Sequence, residues 1–460
     1  MKIKKISQYL AMAGLISLPA LSYADSTEDL VNALVTKGVL TEEEGALLSK
    51  NRSKEKKSEA KVSIDKKGIT VKSSDDSYKM QIGGRLHATY GGHSDESLAD
   101  ASGAGIDDPT DGTEIRRARF YVKGKMGHKL GYMAEVDFGG NKTGVKDFYM
   151  DWSPNKNWVF TAGHQKHAFS MEVQESSNDI MFAERSLVYA LSVPAFDRAI
   201  GVNLKAIGEN WNVQGGFYGE GVSSNSDAGK EKSEGKGFAI RGTWNPVLEK
   251  NRMIHLGANY GYRKISDDNT MNSNKNPRFR YETTNLSSLY LVDSGNITNA
   301  NDFQMGILEF AAMNGPFSFQ SEISKGTMTR DDGSADYDVS AYYAQVGWTL
   351  TGESRTYKSK DGEFKRLKPK NAFDPDKGTW GAWEVALRHD GIDLNDGNDF
   401  TNKGDAKRMT INLNWYLNEN VRLLAGYERT YDLDNAAVTK LGGGDADDID
   451  VFQLRAQWAI

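Results

Sequence analysis

Ten basic side chains, Arg85, Arg117, Arg119, Lys123, Lys205, Arg241, Arg263, Arg388, Arg422 and Arg455, occupy polar positions in segments where polar and apolar residues alternate. Nine carboxylates share those faces: Glu135, Asp137, Asp147, Asp151, Glu220, Glu309, Glu322, Glu384 and Glu428. A guanidinium is planar and permanently charged, so it holds oxyanions bidentately and suits a path for phosphate-like ions. The basic surplus is slight, and ion pairing along the faces accounts for such a mixture equally well. Other chemistry is thinner. No nucleophile motif surrounds the seven His, which are His87, His93, His128, His164, His167, His255 and His389. His164 and His167 stand three apart, on opposite faces of a strand, so no metal site is read there. The Asp-rich stretches 331–338 and 445–450 suit either weak Ca²⁺ binding or simple solvation. Cys is absent, which excludes disulfides, thiolate metal sites and Cys nucleophiles. No catalytic residue or cofactor is expected.

The elements that must position these charges follow from the whole chain of 460 residues. Residues 1–24 read as a secretory signal: Lys2, Lys4 and Lys5, an apolar run from Leu10 to Leu18, then Ser22-Tyr23-Ala24 before the cleavage point. Losing those three Lys makes the chain more acidic than its net charge of −6, which argues against nucleic acid as a partner. Nowhere else do apolar residues run long enough for a membrane helix. A polar, Gly-rich, aromatic-rich exported chain is then either a soluble β protein or an outer-membrane barrel whose strands are apolar at alternate positions.

Residues 26–49 read as two short helices, with Thr41 and Glu44 forming a capping box for the second. Neither buries its apolar stripe alone, so a helical hairpin that self-associates or docks is expected. A charged linker follows at 50–61, giving a signal at 1–24, a periplasmic segment at 25–61 and a barrel at 62–460. From Tyr78 the period is 2, and sixteen strands are predicted. They are 78–91, 115–125, 128–139, 145–153, 157–166, 198–208, 209–220, 236–246, 252–265, 302–314, 316–328, 338–352, 379–391, 407–418, 420–433 and 449–460. Short and long connections alternate, as turns and surface loops do in an outer-membrane barrel. The exception is 352–378, long on the short side. Trp152, Trp158, Trp244, Trp348, Trp415 and Trp458 fall near strand ends, as an interfacial girdle requires. The last strand alternates to Ile460, where such barrels more often end in Phe or Trp. The fold class is all-β: a 16-stranded antiparallel transmembrane barrel behind a short helical segment.

Several strings are more specific: IGGRL at 82–86, RRARF at 116–120, SSND and FAER within 176–185, HLGANYGYR at 255–263, LTGESRTY at 350–357, GAWEVALR at 381–388 and NWYLNENVRLL at 414–424. Through them the chain resembles the phosphate-selective porin O/P family over nearly its whole mature length. The resemblance implies a trimeric sixteen-stranded porin whose N-terminal extension helps trimerisation. It also implies that about 167–197, 266–301 and 352–378 fold into the lumen. By the same resemblance Arg85, Arg116, Arg117 and Arg185 match basic residues of the anion path, Asp147 an acid at the constriction, and Lys166 the Lys before the constricting loop. Parity adds Arg119 and Arg241, and directs Arg117 inward but Arg116 outward unless the strand is irregular there. Where family members carry cations, this chain has Val173, Asn178 and Gly131, and Glu172 and Glu175 add negative charge nearby. The expected function is passive diffusion of small hydrophilic solutes, anions such as phosphate foremost, across a Gram-negative outer membrane. A general or cation-tolerant porin, and a closed structural or adhesive barrel, stay open as alternatives.

Overall fold

The computed structural model describes every residue except 1–25, 49–59, 94–97, 101–110, 223–233, 266–276, 283, 285, 287–289, 332, 397–402, 435–437 and 441–447. The signal, most of the linker and parts of several long loops lie outside the described residues. The chain forms two units. The first holds a helix at Ser26–Thr36 and another over 42–48. The capping box forms: the Glu44 N–H donates to Thr41 Oγ1 (3.2 Å), and the Thr41 N–H donates to Glu44 Oε2 (2.9 Å). Gly45 lets the helices touch, because a Cβ there would lie 2.5 Å from Val35 Cγ2. Val39, Leu47 and Leu48 stay exposed.

The second unit opens with a hairpin that the alternation did not reveal, Lys61–Asp65 and Gly68–Lys72, whose second strand pairs with the first barrel strand. Sixteen antiparallel strands follow. They are β1 Tyr78–His93, β2 Asp111–Met126, β3 Leu130–Asp137, β4 Gly144–Asn155, β5 Trp158–Lys166, β6 Arg198–Ile207, β7 Trp211–Tyr218 and β8 Lys236–Leu248. Then come β9 Arg252–Lys264, β10 Ala300–Asn314, β11 Phe317–Arg330, β12 Tyr337–Thr349, β13 Ala382–Asp393, β14 Asp405–Tyr416, β15 Val421–Asp434 and β16 Asp448–Ala459. Each pairs with the next, and β16 closes on β1 with Trp458 opposite Leu86 and Val451 opposite His93. All sixteen coincide with the predicted strands. Closure removes every edge, the condition for β-structure in lipid. Outward positions are apolar and exposed, among them Leu86, Phe120, Met150, Val202, Leu308, Ile323, Leu413 and Leu454.

The inner wall is unequal. Inward side chains of β7–β16 are buried almost throughout, whereas Arg119, Lys123, Asp137, Asp147, Tyr149, Asp151 and Lys205 on β2–β6 keep partial exposure. The cause is the three connections expected in the lumen, which fold over the rest of the wall. The β5–β6 connection supplies Phe169, Leu187, Leu191 and Phe196 to a core. The described part of the β9–β10 connection adds Phe279, Leu291 and Ile297, and the wall adds Phe303, Met328 and Tyr337. From the opposite end, the β12–β13 segment brings Tyr357 and Phe364 against Met171 and Met253. The water-accessible face of the lumen therefore runs along β2–β6.

Candidate functional site

Two β-bulges set the charges on that face. In β2, His87 pairs with Arg117 but Ala88 with Ile115, so Arg116 is the extra residue. A bulge re-aims side chains, and here Arg116 and Arg117 both turn inward to Glu184, at 3.0 Å and 3.7 Å. This is the irregularity that regular alternation required for Arg116 to face the lumen. Arg455 also reaches Glu184, at 2.6 Å. Burial pulls the Glu184 carboxyl up, but Arg116, Arg455 and Arg117 outweigh it and hold the group well below the usual carboxylate range. In β4, Ala134 pairs with Phe148 and Val136 with Val145, so Lys146 and Asp147 together face Glu135. Asp147 is bound by Arg198 through two bonds of 3.1 and 3.2 Å.

The residues expected at the constriction gather where β1–β5 meet the β5–β6 connection. Arg85 donates to Glu135 (2.8 Å) and across the lumen to Ser177 (3.1 Å) and Ser176 (3.3 Å). Arg119 donates to Glu135 (2.9 Å) and Asp137 (2.7 Å). Lys166 Nζ donates to the carbonyls of Gln174 (2.8 Å) and Glu175 (3.2 Å), which leaves its charge without a carboxylate. Lys123 lies over the Tyr121 ring at 4.6 Å. Among the described residues Lys123, Lys125, Lys146 and Lys166 form no ion pair within 4 Å, and neither does the acid Asp151. Gly131 lies beside that acid: a Cβ there would come 2.4 Å from Asp151 Oδ2, the movable end of the side chain.

Other arginines of the inward set serve the loops and not the water path. An irregular chain inside a barrel presents main-chain carbonyls that need donors, and Arg carries five. Arg422 donates to the carbonyl of Ile180 (2.7 Å), Arg388 to that of Glu184 (3.1 Å) and Arg408 to that of Arg185 (3.0 Å), while Arg455 reaches the Ala183 carbonyl. Arg185, expected on the anion path, is 9% exposed and donates to the carbonyls of Glu175 (2.6 Å) and Glu172. Arg241 is fully buried, pairs with Glu309 at 2.8 Å and donates to the carbonyls of Asp361 and Gly362. Arg117 is 7% exposed beneath Glu184. The expected path set thus divides: Arg85, Arg119, Asp147 and Lys166 come together at the constriction, while Arg116, Arg117, Arg185 and Arg241 hold its scaffold.

The β12–β13 segment supplies what the sequence reading missed. Between 355 and 370 it carries seven basic residues, Arg355, Lys358, Lys360, Lys365, Arg366, Lys368 and Lys370, against Asp361 and Glu363. Its charge was the available signal. Lys205 reaches Asp361 at 2.9 Å, and the Tyr357 hydroxyl lies 2.6 Å from His255 Nδ1. Arg355 bonds Glu175 (3.1 Å) and the carbonyl of Asp179 (2.9 Å), and Lys365 lies 3.9 Å from the Asp179 carboxylate, so segments entering from opposite ends meet through two ion pairs.

Comparison with known proteins decides the family. The model for phosphate-selective porin O and P matches residues 80–460. The chain belongs to that family. Porin O of Pseudomonas aeruginosa is 27% identical over 423 residues, covering 86% of this chain and 91% of that one. An uncharacterised protein of Caulobacter vibrioides is 26% identical over 352 residues, covering 73% of this chain and 66% of that one. Among solved structures, an anion-selective porin from Comamonas acidovorans superposes with a TM-score of 0.52 at 12% identity, covering 83% of this chain and all of that one. OmpT of Vibrio cholerae gives 0.51 at 10% identity over 84% of this chain and 98% of its own. These likenesses carry the barrel fold. As a member of the phosphate-selective porin O and P family the chain is an outer-membrane porin, located in the Gram-negative outer membrane, and a channel by class.

Proposed function

We propose that this porin conducts small anions, phosphate among them, along the β2–β6 face, and that it works as a homotrimer. The observation that carries the reading is the row of lysines without carboxylate partners, Lys123, Lys125, Lys146 and Lys166, on the accessible wall. The low-dielectric barrel wall focuses the field of these cations, which outnumber the unpaired acid beside them, Asp151, on ions in transit through the aqueous lumen. Arg85 and Arg119 are each shared with Glu135, so they serve as hydrogen-bond donors to a passing oxyanion more than as free charge. Asp147, paired with an Arg198 that also holds Asp197, bounds the same narrow point. The family is described as phosphate-selective and the Comamonas porin as anion-selective, and both support anion preference. Val173, Asn178 and Gly131, standing where relatives carry cations, argue for a phosphate site weaker than theirs. Trimerisation is supported by the exposed Val39, Leu47 and Leu48 of the helical segment, whose apolar faces need a partner.

Single-channel recording in planar bilayers tests the reading. In a KCl gradient the reversal potential should report anion preference, and added phosphate should reduce the chloride current saturably. Cation preference or unsaturable behaviour would reduce the protein to a general porin, and absence of conductance would favour a structural barrel. Mass measurement of the detergent-solubilised protein should give three copies.

A further inference from the structure

Arg366 lies in the β12–β13 segment beside the short turn after β14. It is 9% exposed, and its Nε and Nη2 atoms have no hydrogen-bond partner. The Nη1 atom makes only a long bond, 3.4 Å, to the carbonyl of Asn420 in that turn. Its guanidinium stands 6.0 Å from the centre of the Tyr416 ring, and that of Arg422 stands 5.5 Å from the same ring. Among the described residues neither Arg has an ion pair. Asp179 is engaged at 3.9 Å by Lys365, and Glu384 Oε2 accepts the Tyr416 hydroxyl at 2.7 Å. Burial and the like charge of Arg422 push Arg366 down to about 10. Two buried cations around one ring, with Asp179 and Glu384 near but neither in an ion pair with them, are costly unless an anion accompanies them. The unpartnered atoms are also the informative ones, because Nε and Nη2 form the edge by which Arg grips two oxygens at once.

We propose that the Nε–Nη2 edge of Arg366, supported by the charge of Arg422, is a binding site for a small oxyanion at the periplasmic mouth, separate from the constriction. Asn420 places the site on the short-turn side, so its ligand comes from the periplasm. The site does not rest on the anion-conduction reading, since binding is measured without current.

Crystals of the full-length protein grown with selenate should show a selenium anomalous peak within hydrogen-bond distance of Arg366 Nε and Nη2. No peak there, or an Arg366 fork closed onto Glu384, overturns the proposal. In solution, ³¹P line broadening of inorganic phosphate is followed in the Arg85→Gln protein, which weakens the constriction's share, and the difference made by Arg366 variants in that background reports this site. Adding Arg366→Gln should weaken binding at least ~10-fold, and Arg366→Lys should do the same because it keeps the charge but loses the fork. Unchanged affinity in the Lys variant overturns the fork assignment. Acetate should compete with phosphate, because the edge reads two oxygens and not a tetrahedron, and failure to compete also counts against it.

Discussion

A few buried carboxylates hold the constricting loop, and Glu322 on β11 does the most. It accepts the N–H of Met171 (2.8 Å) and of Glu172 (3.2 Å), the Ser170 hydroxyl (3.2 Å) and the Tyr343 hydroxyl (2.9 Å). Glu322→Gln keeps the shape but puts an amide N–H₂ among four groups that all donate, leaving some of them unsatisfied at a cost of about 1–3 kcal/mol. The expected outcome is a larger, noisier single-channel current with the barrel still folded on unboiled gels. Glu175 makes a second prediction. Burial, with help from Asp179 and Glu363, raises its carboxyl to about 7 against the pull of Arg355 and Arg185. An acid with a raised folded pKa keeps its proton where the unfolded chain has lost it, so stability falls as pH rises from about 4.5 to 7. Thermal unfolding in detergent should show that decline, and Glu175→Gln should flatten it. Both carboxylates illustrate what alternation leaves unread. It assigns Arg85, Arg117, Arg241 and Glu322 alike to the inner face, but which of them meets water and which meets a loop depends on contacts between segments far apart in the chain.

At the scale of elements, the sixteen strands were legible because period-2 alternation over about ten residues has few other readings. The bulges at Arg116 and at Lys146–Asp147 were not, since one extra residue leaves the pattern intact on both sides. They nonetheless decide which charges enter the lumen. The hairpin Lys61–Asp65/Gly68–Lys72 was missed because its first strand is exposed throughout and its second buries only Gly68 and Thr70, neither of which marks an apolar face. The β12–β13 segment was legible as an anomaly of length, and its inward course was implied only by family resemblance. It is held by Arg241 at Asp361 and Gly362, by Lys205 at Asp361 and by Arg355 at Glu175. Replacing 356–365 by a short Gly-Ser turn should uncover the inner wall of β6–β9 and free the constricting loop from below. Open-channel conductance should then rise and phosphate block weaken, while the strands and their heat resistance persist. A variant with unchanged conductance would mean that this segment lies outside the conducting path.

For the whole molecule, closure of the barrel concentrates at its C-terminus. The β16–β1 seam ends with Ala459 opposite Arg85, a residue of the constriction. Beyond it the Ile460 N–H donates to the Gly84 carbonyl (2.9 Å), and the Ile460 carbonyl accepts from the Tyr121 hydroxyl (2.7 Å) and the Gly84 N–H (3.3 Å). All three bonds use the main chain of Ile460. These contacts at the seam therefore do not depend on which side chain stands at 460. Two predictions separate backbone from side chain. Ile460→Phe should leave folding yield and conductance unchanged, because every seam bond is retained. Deleting Ala459 and Ile460 removes those bonds and the partner of Arg85, leaving main-chain groups of β1 unpaired where lipid cannot satisfy them. The deletion should lower the folded, heat-modifiable fraction on unboiled gels, and channels that do form should show disturbed phosphate block, since the seam and the constriction share Arg85.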